Sequence, residues 1–146
     1  MDFRLDGIDT SAAQEGVDIP LKRIDGTPLL NAKGKPVTLR LIGADSPEYR
    51  RIARRHARSR IDRSKKAKGG NIEITDELLD ALENEDLELV VACTKGWDGV
   101  LDSKDKPVPF TAEAATAFYR MFPIAFEQAN AAIVDRANFI KASSMN

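Results

Sequence analysis

The chain has 146 residues, of which 42% are hydrophobic and 31% are charged, and its formal net charge is −1. These values are typical of a single globular domain and exclude disorder of the whole chain. It contains neither a run of about 18 apolar residues nor a signal-peptide pattern, so we expect a soluble protein that does not bind membranes.

The N-terminal third of the chain predicts an arm and a β-hairpin. Residues 1–16 are polar and lack a sustained period, so we expect a flexible arm. Residues 17–24 and 36–43 read as strands, and Pro20 indicates that the first lies at a sheet edge. Turn-forming residues between the two strands predict a hairpin, and a short third strand at Leu29 and Leu30 is an open alternative.

The first two helices are predicted from their capping residues. Ser46 and Pro47 open the first helix, which ends within residues 65–70. Thr75 caps the second, which is either one long helix or a helix bent at its acidic part. Helical spacing places the following residues on inward faces: Tyr49, Ile52, Ala53, His56, Ala57 and Ile61 in the first helix, and Leu78, Leu79 and Leu82 in the second.

Two further helices complete the predicted fold. Thr111 caps the third, over residues 112–121, and Pro123 starts a fourth whose apolar positions continue to Ile140. Residues 17–146 are therefore predicted to be one α+β domain. Its small N-terminal β-hairpin or three-stranded sheet, in residues 17–45, is followed by a C-terminal bundle of about four helices in residues 46–141.

Charge is segregated into two neighbouring blocks. The basic block lies in residues 50–68 and contains Arg50, Arg51, Arg54, Arg55, Arg58, Arg60, Arg63, Lys65, Lys66 and Lys68. The acidic block follows directly and contains Glu73, Asp76, Glu77, Asp80, Glu83, Glu85, Asp86 and Glu88. Blocks of opposite sign can lie against each other within one molecule or between copies, so self-association is one expected use of them.

The sequence offers no constellation of residues for catalysis, for a cofactor or for a metal. The one histidine, His56, and the one cysteine, Cys93, lack neighbouring residues at ligand spacing, and no glycine loop for phosphate accompanies the carboxylates. Cys93 stands in an apolar run and is expected to be a buried thiol in a reducing compartment. We therefore predict a protein that is not an enzyme.

Short motifs spread over residues 17–141 carry a resemblance to a known family. They are the turns at Asp25-Gly26 and Gly34, Gly43-Ala44-Asp45-Ser46-Pro47, a charged helix, Gly96-Trp97-Asp98-Gly99-Val100, Pro109-Phe110-Thr111 and Asp135-Arg136-Ala137-Asn138-Phe139. In this order they resemble the tail assembly chaperones of long-tailed bacteriophages. The chain departs from that family at Asp105-Lys106, where related sequences often have an acid-glycine turn.

The resemblance implies a non-catalytic assembly factor that binds the long, helical tape measure protein. Such a factor keeps the tape measure protein soluble until tail tube subunits polymerise around it, and the tail tube protein is then a further partner. It works in the host bacterial cytoplasm and is absent from the mature virion. Whether a longer, frameshifted form of this chain exists is left open.

Eight side chains are the candidates for contact with a partner: Arg51, Arg54, Arg55, Arg58, Trp97, Phe118, Phe122 and Phe126. Tryptophan and arginine are enriched among the residues that dominate binding energy. Each candidate also has a plainer interpretation, because arginines opposite an apolar stripe are often a solvated helix face, and aromatic residues at helical spacing are often core. The glycines on either side of Trp97 predict that it lies in a turn between helices.

Two other functions stay open. A nucleic-acid-binding accessory protein would use the basic helix of residues 50–68 to neutralise phosphates. The sequence pI of about 5.9, the adjoining acidic block and the scarcity of aromatic residues in the basic block argue against nucleic acid as a partner. A structural tail component would share the phage context but would remain in the finished particle.

Overall fold

The computed structural model of the chain describes residues 2–66 and 73–140. The elements in that part are, in chain order, α1 (Ala12–Glu15), β1 (Val17–Pro20), β2 (Thr38–Leu41), α2 (Pro47–Lys66), α3 (Asp76–Ala92), β3 (Thr94–Asp98), α4 (Ala112–Met121), α5 (Pro123–Val134) and a 3₁₀ turn (Arg136–Phe139). The architecture is α+β, which confirms the predicted fold class.

The sheet is antiparallel, in the order β1-β2-β3. β1 and β2 form the predicted hairpin, with Ile19 opposite Leu39, and Leu39 is in turn opposite Trp97 of β3. The third strand is thus formed by residues that follow α3, and Leu30 makes only an isolated bridge to Pro36. The placement of Trp97 in a turn between helices is wrong, because its backbone pairs with the central strand.

Gly99 ends the third strand at a position that only glycine tolerates. Its φ angle is 85°, and a Cβ atom added there would lie 2.4 Å from the carbonyl oxygen of Pro36. Both the left-handed backbone and the close approach of another backbone exclude larger residues. The chain therefore leaves the sheet here and enters the loop that leads to α4.

Helices α2 and α3 form an antiparallel pair. The Tyr49 amide donates to Ser46 Oγ at the start of α2, and the Leu78 amide donates to Thr75 Oγ1 at the start of α3, as the caps predict. Residues 67–70 of the predicted end of α2 lie outside the described part. α3 is one continuous helix, so the alternative of a helix bent at its acidic part is wrong.

The core lies between the sheet and the later helices. Leu39 and Leu41 of β2 are fully buried, and they belong to one hydrophobic cluster with Val90, Ala129 and Ile133. The predicted inward position is wrong for three residues, because Ala57 and Ile61 of α2 and Leu79 of α3 are exposed. Helical spacing alone therefore overestimates the buried face of these two helices.

The short helix α1 and the C-terminal 3₁₀ turn, which lie near opposite ends of the described chain, pack together. Within the predicted arm, Ala12–Glu15 is a short helix whose Ala13 is buried and accepts a hydrogen bond from the Gly43 amide at 2.8 Å. The last helix ends at Val134 and not near residue 140, because Asp135 caps the 3₁₀ turn by accepting from the Ala137 amide. In the described residues, no helix is both long and apolar enough to cross a membrane.

Candidate partner-binding groove

The surface of the molecule contains an open groove of about 1160 Å³. Its walls come mainly from three parts of the chain, residues 21–32 of the hairpin connection, residues 97–108 from the third strand and the loop after it, and residues 114–128 at the corner between α4 and α5, and Val37 also lines it. Most of the lining side chains are apolar. We call this feature the apolar groove.

A row of aromatic rings forms one wall of the apolar groove. The indole Nε1 of Trp97 donates to the carbonyl oxygen of Val108 at 2.8 Å, which fixes the ring. The centroid of this ring lies 5.4 Å from that of Phe118, and Phe110, which is outside the groove lining, packs against the indole with its centroid at 5.1 Å. Phe122 continues the row, with its centroid 5.3 Å from that of Phe118. Rings at these separations stabilise each other, so the wall is preformed.

The rim of the apolar groove exposes large apolar side chains. Ile24 is 88% exposed, Met121 73% and Phe122 49%, and Leu30 and Ile124 are also exposed. Single exposed apolar residues are normal on a protein surface, whereas several of them around one concave feature are typical of interaction sites and ligand grooves. What this surface offers to a ligand is apolar contact.

Two side-chain amides hold the walls together. Gln128 of α5 accepts a hydrogen bond from the Lys22 amide at 2.8 Å and donates one to the Lys22 carbonyl at 2.7 Å. Asn31 donates to the carbonyl of Gly99 at 3.0 Å and accepts from the amides of Lys33 and Lys35. The hairpin connection is thereby tied both to α5 and to the loop after the third strand.

The structure separates the eight candidate residues into two surfaces. Trp97, Phe118 and Phe122 line the apolar groove. Phe126 lies outside the lining and packs partly buried against the core, with its ring centroid 6.1 Å from that of Tyr119. The arginines lie on the outer face of α2, where a shallow depression of about 570 Å³ is lined by Pro47, Arg50, Arg51, Arg54, Arg55 and Arg58.

Sequence reasoning missed much of the rim. Ile24, Leu30, Met121 and Ile124 were not among the candidates, although they are the exposed apolar residues that surround the aromatic wall. A usable signal exists in the hairpin connection. Ile24 and Leu30 stand among turn-forming residues, where a turn alone has no need of large apolar side chains.

The Cys93 thiol and the Tyr119 hydroxyl are buried in the core. Burial raises the pKa of the Cys93 thiol to about 12 and that of Tyr119 to about 12. The Thr94 hydroxyl donates to the Val90 carbonyl at 2.8 Å and lies 2.7 Å from the Tyr119 hydroxyl, from which it can accept. Over residues 2–66 and 73–140, no three side chains of histidine, cysteine, aspartate or glutamate are grouped so that they could hold a metal ion.

Comparison with known proteins gives one family. A family model described as YdaY prophage protein matches residues 44–144, which is more than half of the chain. The matched region includes the arginines of α2, the aromatic wall and the corner between α4 and α5, whereas the hairpin connection precedes it. No curated protein and no solved structure matches the chain.

Proposed function

Because the chain belongs to the YdaY prophage protein family and is thus phage-derived, we propose that it is a tail assembly chaperone. In this role it binds the tape measure protein without catalysis and keeps it soluble during tail assembly. The observation that carries the proposal is the apolar groove, with its preformed aromatic wall and its exposed apolar rim.

The apolar groove suits an amphipathic helix as its ligand. It is open, has a volume of about 1160 Å³ and is lined mostly by apolar side chains. An amphipathic helix that lays one face into a hydrophobic groove inserts side chains at positions i, i+3, i+4 and i+7. The tape measure protein is long and helical, so it offers many such faces to successive copies of this protein.

Temporary binding follows from the openness of the surface. A helix in the groove covers the apolar rim, but it remains accessible from solvent along its other side. Many weak contacts along one tape measure chain hold it collectively, and each copy can still leave when tube subunits compete for the same helix. On this proposal the protein acts in the host bacterial cytoplasm, takes the tail tube protein as a further partner and is absent from the mature virion.

The test is co-expression of the chain with the tape measure protein encoded near it. We expect a soluble complex on size-exclusion chromatography with light scattering, free of nucleic acid by its absorbance ratio. Met121→Glu places a charge on the groove rim and is expected to reduce the yield of soluble complex at least tenfold. Ile61→Glu makes the same kind of change at a side chain 55% exposed on α2, outside the groove lining, and should leave the complex intact.

Other outcomes would identify other functions. Insoluble tape measure protein despite a well-folded partner would reject the chaperone role. Nucleic acid that co-purifies and leaves at high salt would favour the nucleic-acid-binding accessory protein. Recovery of the chain in purified virions would favour a structural tail component.

A further inference from the structure

The outer face of α2 carries a regular stripe of arginines. Arg51, Arg54 and Arg58 recur at positions i, i+3 and i+7, so their side chains project from one side of the helix. All three are exposed, and none forms an ion pair within the residues that the structure describes. We call these three residues the arginine stripe.

The other four arginines of α2 have partners: Arg50 contacts Asp45, and three contact carboxylates of α3. Arg60 and Arg63 contact Glu85 at 3.3 and 3.0 Å, and Arg55 contacts Glu88. The two charge blocks therefore lie against each other within the molecule, but only along one side of each helix. The arginine stripe comprises the arginines of α2 that have no partner among these carboxylates.

A complementary stripe of carboxylates lies on α3. Asp76, Asp80 and Glu83 recur at positions i, i+4 and i+7 and are exposed. In the described part of the chain they also make no ion pair. They occupy a different side of α3 from Glu85 and Glu88, which contact α2. We call these three residues the acidic stripe.

The two stripes have the same spacing when the helices run in opposite directions. Read from Glu83 back to Asp76, the carboxylates stand at intervals of three and four residues, as the guanidinium groups do from Arg51 to Arg58. Each stripe spans about 10 Å at the rise of an α-helix. We propose that the arginine stripe of one copy binds the acidic stripe of a second copy in antiparallel orientation. The pairs are Arg51 with Glu83, Arg54 with Asp80, and Arg58 with Asp76.

This contact joins different surfaces on the two copies. Each copy keeps one unused stripe, so the contact continues to a third copy and builds a chain or a ring. Exposed ion pairs are individually weak and are screened by salt, so we expect association at high protein concentration and low ionic strength. Such a row of copies would also present a row of apolar grooves, although self-association does not depend on the proposed chaperone function.

The test is charge reversal with mutual rescue, measured on the isolated chain by sedimentation velocity. The average mass of the wild type should rise with concentration at about 25 mM salt and return to that of the monomer at about 500 mM. Arg51→Glu/Arg54→Glu/Arg58→Glu should be monomeric alone, and so should Asp76→Lys/Asp80→Lys/Glu83→Lys. An equimolar mixture of the two variants should associate again, because every stripe then meets one of opposite sign.

Controls separate this contact from a general effect of charge. Lys33→Glu/Lys35→Glu/Lys104→Glu changes the net charge as much as the arginine variant does, but at exposed turn positions, and should still associate. Circular dichroism verifies that each variant is folded. A wild type that stays monomeric at low salt would overturn the proposal, as would a mixture that fails to associate or a mass that nuclease treatment removes. The last result would assign the arginine stripe to nucleic acid.

Discussion

At the scale of single residues, two motifs that are far apart in sequence pack directly on each other. Arg136 donates two hydrogen bonds to the carboxylate of Asp45, at 2.9 and 3.0 Å. The Ala44 amide donates to the carbonyl of Ile133, and the ring of Phe139 lies over Gly43. These residues join the start of α2 to the end of α5, so their role in this chain is to close the domain.

Gly43→Ala tests how tightly this junction is packed. A Cβ atom at Gly43 would lie 2.8 Å from two ring carbons of Phe139 and 3.0 Å from Cβ of Ala13. We expect the free energy of unfolding to fall by about 1–3 kcal/mol, as for other overpacked sites. Urea denaturation measures it. Gly96→Ala is the control, since its nearest contact is at an ordinary 3.8 Å, and equal losses in the two variants would contradict the packing account.

The Asp45–Arg136 pair predicts a dependence of stability on pH. Hydrogen bonding to Arg136 holds the pKa of Asp45 below its ordinary value of 3.8. Such a carboxylate stabilises the folded state above the unfolded pKa and loses that contribution as the pH falls through the folded pKa. Since Arg136 is 74% exposed, we expect the contribution at neutral pH to be about 1 kcal/mol or less.

Asp45→Asn measures this contribution by urea denaturation at several pH values. The difference in unfolding free energy between wild type and variant should be constant at neutral pH and shrink below about pH 4. Arg136→Gln should produce the same profile, because it removes the other half of the pair. A difference that grows towards acid pH would show that another group dominates.

At the scale of elements, the helices that depend on local signals were predicted correctly, whereas a strand that depends on long-range pairing was not. Thr75 and Thr111 cap their helices as predicted, and α4 covers Ala112–Met121 as predicted, because caps and helical spacing act within a few residues. The strand at Thr94–Asp98 was missed. Its glycine and aspartate are poor strand formers, and it forms because the central strand offers it hydrogen bonds from more than 50 residues away.

Gln128→Ala tests how one helix holds the hairpin connection against the apolar groove. The variant loses both hydrogen bonds to the Lys22 backbone. Because this site is exposed, water replaces part of the loss, and we expect a destabilisation of about 1 kcal/mol. Hydrogen exchange at the Lys22 amide should accelerate clearly, whereas Gln14→Ala, the same change on α1, should leave that amide unaffected. Unchanged exchange in Gln128→Ala would mean that other contacts hold the connection.

At the scale of the whole molecule, the apolar groove could not be derived from the sequence. The aromatic side chains Trp97, Phe118 and Phe122 were recognised as candidates, since their residue types suit an interface. They form a groove with Ile24 and Met121 only because three segments distant in the sequence meet in the fold. The hydrophobic periodicity of the sequence does not indicate which segments meet. The charge blocks were clear in the sequence, but only the helix pair shows which of their residues are already used.

The single cysteine and the single tryptophan allow a test of whether the molecule unfolds as one unit. Cys93 is fully buried, its carbonyl accepts from the Ile42 amide at 2.9 Å, and it belongs to the core cluster beside the sheet and helices. Trp97 is part of the groove wall, so its fluorescence reports the structure of the groove. In a cooperative domain of this size, both probes should change at the same urea concentration.

The measurement is the rate of thiol labelling of Cys93 across a urea titration, compared with the fluorescence of Trp97. Without urea we expect labelling to be slowed by at least a thousandfold relative to the unfolded chain, because burial hides the thiol and raises its pKa to about 12. Fluorescence that changes at lower urea than labelling would show that the apolar groove opens before the core. Rapid labelling without urea would contradict the burial of Cys93, and with it the packing of the sheet against the helices.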